Sequence, residues 1–218
     1  MSGRAPDLTH TWAIVPLRGL ETAKTRLGDE LDAEERLELV VAMAERTLAG
    51  TRDARRIEGT VLVTADLAAA HLAERFGAST IVQRVAGLNE AIREARVVAT
   101  TAGATAVLVV PIDLAAISAA ALDEIVAAGS GAIDTSPSRP LVVVVPDRHG
   151  SGTNALLVSP PGAIEPAFGP GSRPAHASAA ATADATYLEL GGPLIDDVDT
   201  AEDLLALEGT ARGDRHGA

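Results

Sequence analysis

A chain of 218 residues, 47% hydrophobic but only 2% aromatic, is sized for one domain whose core is built from Val, Leu, Ile and Ala. A net charge of −12 excludes a general nucleic-acid surface, which needs an excess of Lys and Arg, but not small anions held by a few local cations, metal ions or backbone N–H groups. The lack of cysteine excludes disulfides and thiolate zinc sites, and no apolar run suits a signal peptide or a membrane span, so the sequence reads as a cytoplasmic protein with no nucleic acid and no membrane as partner.

Trp12–Leu17 is apolar, β-branched and closed by Pro16, and predicts a first strand. A polar, basic loop runs from Arg18 to Leu31. Asp32 and Glu35 have capping-box spacing and open a helix with Leu37, Val40, Val41, Ala44 and Leu48 on one face. Gly59–Thr64 predicts the second strand, Leu67–Phe76 a helix stopped by Gly77, and Ser79–Val82 the third strand. Leu88–Thr101 is expected to be helical, Ala106–Pro111 a buried strand, Ser118–Ala128 a helix and Leu141–Pro146 another buried strand. This βα alternation predicts an α/β fold with a mostly parallel sheet. Beyond Pro146 the pattern changes to a Gly-, Ser- and Pro-rich stretch, His149–Pro174, with one short apolar run at Ala155–Val158, and then a small-residue segment. Tyr187–Leu190 reads as a late strand, and Asp199 or Thr200 caps a last helix to Leu207. Residues 1–9 and 209–218 read as disordered ends around a core of about 11–208, with no linker that would split the single domain spanning 1–218.

Ligands of open α/β sheets bind beyond the carboxyl ends of the strands, so polar residues just after each strand carry the chemistry. After the first strand come Arg18, Gly19, Lys24 (the one lysine of the chain) and Arg26, a set able to wrap a triphosphate or simply to face solvent. After the strand ending at Val110, Asp113 suits Mg²⁺ beside phosphates, or the capping of a turn. Asp197 and Asp199 point the same way if extended, and two neighbouring carboxylates are reconciled by a bound cation; Asp199 also suits a helix N-cap. The turns His149–Asn154 and Phe168–Ser172 offer backbone N–H groups and hydroxyls to a phosphate or carboxylate. His149 and His176 read as surface or loop residues rather than catalytic bases, and no Ser/His/Asp order or HExxH pattern is present.

Taken in order, Val15-Pro16-Leu17, Ala23-Lys24-Thr25-Arg26-Leu27, Gly87-Leu88-Asn89, Pro111-Ile112-Asp113, Pro146-Asp147-Arg148, Gly152-Thr153-Asn154-Ala155-Leu156, Phe168-Gly169-Pro170-Gly171-Ser172 with His176, and Asp197-Val198-Asp199-Thr200 resemble one family. It is the phosphoenolpyruvate / 2-phospho-L-lactate guanylyltransferase family of coenzyme F420 biosynthesis, and the likeness spans Trp12 to Leu207. The resemblance implies a Rossmann-like nucleotidyltransferase fold, a mostly parallel central sheet with helices on both faces. It implies that Asp113, Asp197 and Asp199 hold Mg²⁺, and that Thr153, Gly169 and Ser172 bind a three-carbon phosphorylated acid. Lys24 and Arg26 would face the GTP phosphates and act with the three aspartates in catalysis, while Arg18, Gly87 and Asn89 complete the GTP site. A downstream transferase accepting a labile product is the implied partner. Two positions depart from the family's habit: Ala115 and Ala116 stand where proline and leucine are usual, and Arg18 where lysine is commoner. The Ala- and Arg-rich composition resembles actinobacterial members, whose acceptor is phosphoenolpyruvate rather than 2-phospholactate.

Overall fold

The computed structural model describes residues 5–17, 32–66 and 68–196. The elements run β1 (Thr11–Leu17), α1 (Ala33–Asp53), β2 (Gly59–Thr64), α2 (Ala68–Glu74), β3 (Ser79–Val82), α3 (Leu88–Thr101), β4 (Ala106–Val109), α4 (Ala119–Thr135), β5 (Leu141–Pro146), β6 (Thr153–Ser159), α5 (Ser172–Thr182) and β7 (Thr186–Glu189), with a 3₁₀ turn at Pro193–Ile195. Local chemistry explains the starts. Asp32 Oδ1 accepts from the N–H groups of Glu34 and Glu35, both at 2.9 Å, and Glu35 returns a carboxylate to the Asp32 N–H, so the expected capping box opens α1. Ser118 caps α4 through the Ala121 N–H at 3.2 Å.

The seven strands form one sheet in the order β3-β2-β1-β4-β6-β5-β7. All neighbours pair in parallel except β6, which runs antiparallel to both β4 and β5. Alternate residues of each strand face opposite layers. Ile14, Val61, Val63, Val107, Val109, Val142, Val144, Leu156 and Val158 meet α3 and α5. Val15, Leu62, Leu108, Leu141, Val143 and Leu157 meet α1, α2 and α4. The expected α/β sheet with helices on both faces is therefore the observed one.

Three local expectations change. Helix α4 runs to Thr135 rather than stopping at Ala128, because Gly129 sits where any Cβ would come within 3.0–3.1 Å of Leu157, Leu141 and Leu8; the glycine lets the helix lie close on the sheet instead of ending it. The small-residue segment after Gly171 is helix α5, whose Pro174 falls in the first turn, where no intrahelical N–H is required. Residues 5–9 are docked rather than loose. Pro6 is buried. The Asp7 N–H donates to Ser159 Oγ at 2.9 Å, and the Ser159 hydroxyl lies 3.0 Å from both the Asp7 and Thr105 carbonyls. The predicted last helix from Asp199 or Thr200 to Leu207 lies outside the described residues. No helix among the described residues is long and apolar enough to cross a membrane.

Candidate active site

The chain goes outward from β1 to β2 and β3, then returns to place β4 on the other side of β1. Such a switch point opens a crevice at the strands' carboxyl ends. Leu17 ends β1 there, so the basic loop beginning at Arg18 starts from this edge. Ile14 pairs with Val109 and its carbonyl accepts from the Val110 N–H at 2.9 Å, which brings Pro111-Ile112-Asp113 out beside the end of β1. Strand β6 arrives by its opposite end. Because it is antiparallel, its first residue, Thr153, lies at the edge where β4 and β5 finish. Along this edge the strand order gives a cleft over β3, β2 and β1, then Asp113, then Thr153.

The cleft has a volume of about 450 Å³ and is lined by Pro16, Leu17, Val63, Gln83, Gly87 and Leu88. Gln83 shapes its rim, donating its amide to the carbonyls of Val85 and Gly87 (2.8 Å to the latter). Gly87, at φ 125°, precedes α3 and leaves that helix N-terminus without a side-chain cap. An apolar floor, a polar rim and an open helix start suit a nucleoside with phosphates beyond it. Gly87, expected beside the nucleotide, lines this cleft. Asn89 turns elsewhere: its Nδ2 donates to the Phe168 carbonyl at 3.0 Å and its Oδ1 accepts from the Phe168 N–H at 2.8 Å. It joins the start of α3 to the second glycine-rich turn. Arg93 and Arg96, further along α3, pair with Glu165 at 2.8 Å, and Arg96 also donates to the Ile164 carbonyl, so one helix grips the whole segment before that turn.

The turn itself leads into α5. Gly169 (φ 128°) and Gly171 (φ 72°) occupy left-handed backbone that side chains resist, and Gly171 is the N-cap, so α5 also begins with no side-chain cap. Ser172, 2% exposed, is its first residue, and its N–H donates to the Gly169 carbonyl at 3.0 Å. Arg173 ties this helix start to the other glycine-rich loop, donating to the Gly150 carbonyl at 2.8 Å while its guanidinium forks onto Glu189 at 2.8 and 2.9 Å. In that loop Asp147 accepts from the Ser151 N–H at 2.8 Å. Burial works to raise the Asp147 carboxyl, but the N–H groups of Gly152, Ser151 and Gly150 hold it below the usual carboxylate range. The result is a rigid pair of loops around Thr153 and Ser172.

His176 corrects the sequence reading. It is neither at the surface nor in a loop but fully enclosed on α5, one turn after Ser172 and on the same face. Its Nδ1 lies 3.0 Å from Thr153 Oγ1, its Nε2 accepts from the Ala167 N–H at 3.0 Å, and its ring meets Phe168 edge-on at 5.1 Å. Burial lowers its pKa to about 4, so it is neutral near pH 7. His149 is exposed, as expected.

Among the expected metal ligands, Asp113 follows β4, whereas Asp197 and Asp199 lie outside the described residues, as do Arg18, Lys24 and Arg26. The structure nevertheless follows the chain to Asp196, and the Ala115 N–H donates to the Asp196 carbonyl at 3.1 Å. A proline at position 115 cannot make that bond. Asn154, buried beside Thr153, holds the preceding turn by donating to the carbonyls of Leu194 and Ile195, both at 3.0 Å. The loop that carries Asp113 is thereby laid beside Asp196. Neither Asn154 nor Ala115 was singled out from sequence for this contact, since it joins segments about forty and eighty residues apart.

Comparison with known proteins supports the fold and shows the family. The family model of CofC-like guanylyl transferases matches residues 11–214. A phosphoenolpyruvate guanylyltransferase of Sphaerobacter thermophilus is 39% identical over 92% of this chain and 94% of its own length. One from Rubrobacter xylanophilus is 39% identical over 90% of this chain and 93% of its own. Among solved structures, a candidate nucleotide-diphospho-sugar transferase from Desulfovibrio desulfuricans superposes with a TM-score of 0.71 at 16% identity, covering 90% of this chain and 85% of that one. The 4-diphosphocytidyl-2C-methyl-D-erythritol synthase of Anaerococcus prevotii superposes with a TM-score of 0.60 at 10% identity, covering 94% and 96%. The fold is that of nucleotidyltransferases, and the chain belongs to the family of CofC-like guanylyl transferases.

Proposed function

We propose that this chain is a cytoplasmic enzyme of coenzyme F420 biosynthesis that transfers GMP from GTP to phosphoenolpyruvate with release of diphosphate. The observation that carries the reading is the sequence of sites along one sheet edge: a nucleoside-sized cleft, then Asp113 beside the Asp196 segment, then the Thr153–Ser172 turns. The relatives named phosphoenolpyruvate guanylyltransferases support the choice of acid.

The acceptor phosphate is largely dianionic at neutral pH, its second pKa being about 6, and is already a nucleophile. No general base is required, which agrees with a buried neutral His176 and an exposed His149. One acceptor phosphate oxygen forms a bond to the α-phosphorus of GTP, and the bond from that phosphorus to the β-phosphate bridging oxygen breaks, with pyrophosphate leaving on the electron pair. Thr153, the Gly169 turn and Ser172 would hold the acid with hydroxyl and backbone donors. Arg18, Lys24 and Arg26 would hold the GTP phosphates and balance charge building on the leaving group.

Two polyanions must meet, and a divalent cation held by carboxylates would reduce their repulsion. Asp113, Asp197 and Asp199 would hold it, since carboxylates are the hard oxygen donors that Mg²⁺ takes, and the bond from the Ala115 N–H to the Asp196 carbonyl, which sets the Asp113 loop against the residue before Asp197, supports this reading. Bound there, the ion would supply charge neutralisation between acceptor and α-phosphate. The product is an activated diphosphate, and a transferase that consumes it would be the downstream partner.

The test offers the purified chain GTP with phosphoenolpyruvate, 2-phospholactate or 3-phosphoglycerate, with and without Mg²⁺, and follows pyrophosphate. Release is expected with phosphoenolpyruvate and Mg²⁺, reduced at least a hundredfold in Asp197→Asn and Asp199→Asn variants that still fold. Preference for 2-phospholactate would replace the acid and keep the reaction; no pyrophosphate with any acid would leave a nucleotide-binding subunit without this activity.

A further inference from the structure

The Thr153–His176 pair has a direction. The Ala167 N–H can only donate, so the His176 Nε2 that receives it at 3.0 Å must carry a lone pair. A neutral imidazole with a lone pair on Nε2 bears its proton on Nδ1. That proton faces Thr153 Oγ1 at 3.0 Å, which fixes the hydroxyl oxygen as the acceptor of this bond. The Thr153 O–H is then left to donate. An acid anion offers only acceptors, so this is the one polarity of Thr153 that binds it, and a donor onto the hydroxyl oxygen strengthens the bond the hydroxyl makes in turn.

We infer that His176 is a positioning residue for the acid: held as its Nδ1–H tautomer by Ala167, it turns Thr153 into an obligate donor toward the bound anion. The same ring fixes the turn that carries Gly169. Ala167 bonds to His176, Phe168 packs on it, and the Phe168 backbone is held on both sides by Asn89. His176 therefore sets the hydroxyl and the glycine turn relative to each other through one rigid group, and Ser172 lies one helical turn before it on the same face. This rests on the reading that Thr153 contacts the acid.

Two isosteric variants divide the roles. Asn at position 176 keeps a donor near Nδ1 and loses the acceptor for Ala167; Gln keeps an acceptor near Nε2 and loses the donor. The expected result is that His176→Gln raises the KM for phosphoenolpyruvate tenfold or more with the GTP KM changed less than twofold, while His176→Asn, though similarly destabilised, stays within about threefold of the parent acid KM. In ¹⁵N-histidine NMR of the parent protein, His176 is expected as the Nδ1–H tautomer. An Nε2–H tautomer overturns the inference, as do acid KM values that rise equally in both variants in step with their loss of Tm. Thr153→Val separates this from the underlying reading. If it raises the acid KM while the Gln variant does not, only the positioning role falls; if it leaves the acid KM unchanged, the acid assignment falls and the inference with it.

Discussion

Thr153 and His176 are the residues where burial and chemistry are most closely tied. The enclosed ring has a pKa lowered to about 4, against about 6.5 in an unfolded chain. Between those values the folded state binds fewer protons than the unfolded one. The stability carried by the neutral ring is complete above pH 6.5 and is lost as pH falls toward 4, by roughly 2–3 kcal/mol. Urea denaturation at pH 7 and pH 4.5 should therefore reveal a larger loss in the parent than in His176→Gln, whose amide does not titrate; equal losses would mean the ring is already protonated in the fold. From sequence this histidine looked like a loop residue, because its helix is built of Ser, Ala and Thr and gives little amphipathic signal. Thr153 and Ser172 were legible as polar residues in glycine-rich turns, but not their connection through a ring between them. The lone lysine is the other residue with a sharp expectation. Lys24→Ala should raise the GTP KM at least tenfold and Lys24→Arg should recover part of it, since a guanidinium restores the charge but not the compact ammonium; unchanged GTP kinetics would make the loop a solvated face.

Element by element, the parallel half was legible because buried parallel strands are continuous apolar runs and their helices carry a helical stripe. The antiparallel strand β6 was visible only as the apolar run Ala155–Val158, for a run of that kind has no direction written in it. Its direction matters to function, since it brings the strand's first residues to the ligand edge. The second residue of β6, Asn154, then anchors the 3₁₀ turn ahead of the acidic run. Asn154→Ala removes two hydrogen bonds from a buried amide and should cost about 1–3 kcal/mol in stability. If Asp197 and Asp199 hold the metal as proposed, the variant should also raise the Mg²⁺ concentration needed for half-maximal rate several-fold, because Leu194 and Ile195, just before them, lose their anchor. A fall in Tm with an unchanged Mg²⁺ requirement would count against that link between the strand and the proposed metal ligands.

For the whole molecule, a net charge of −12 does not conflict with the proposed reaction between two anions, because a few local cations and a bound metal ion are enough to offset the charge where the substrates meet. The topology explains the layout: the switch between β1 and β4 opens the crevice, β2 and β3 extend it into a cleft, and the reversed β6 brings Thr153, the proposed donor to the acid, to the far side. The family motifs were readable in order along the sequence; the contacts that join them, from Asn89 to Phe168 and from Ala115 to Asp196, span eighty residues or so and needed the fold. The most direct measurement of the central claim is ³¹P NMR of the purified chain with GTP, phosphoenolpyruvate and Mg²⁺. The account predicts a pair of mutually coupled resonances from an unsymmetrical diphosphate, one phosphorus from each substrate, growing in step with free pyrophosphate. GTP consumed to GMP with no such pair, or both substrates left intact, would contradict it.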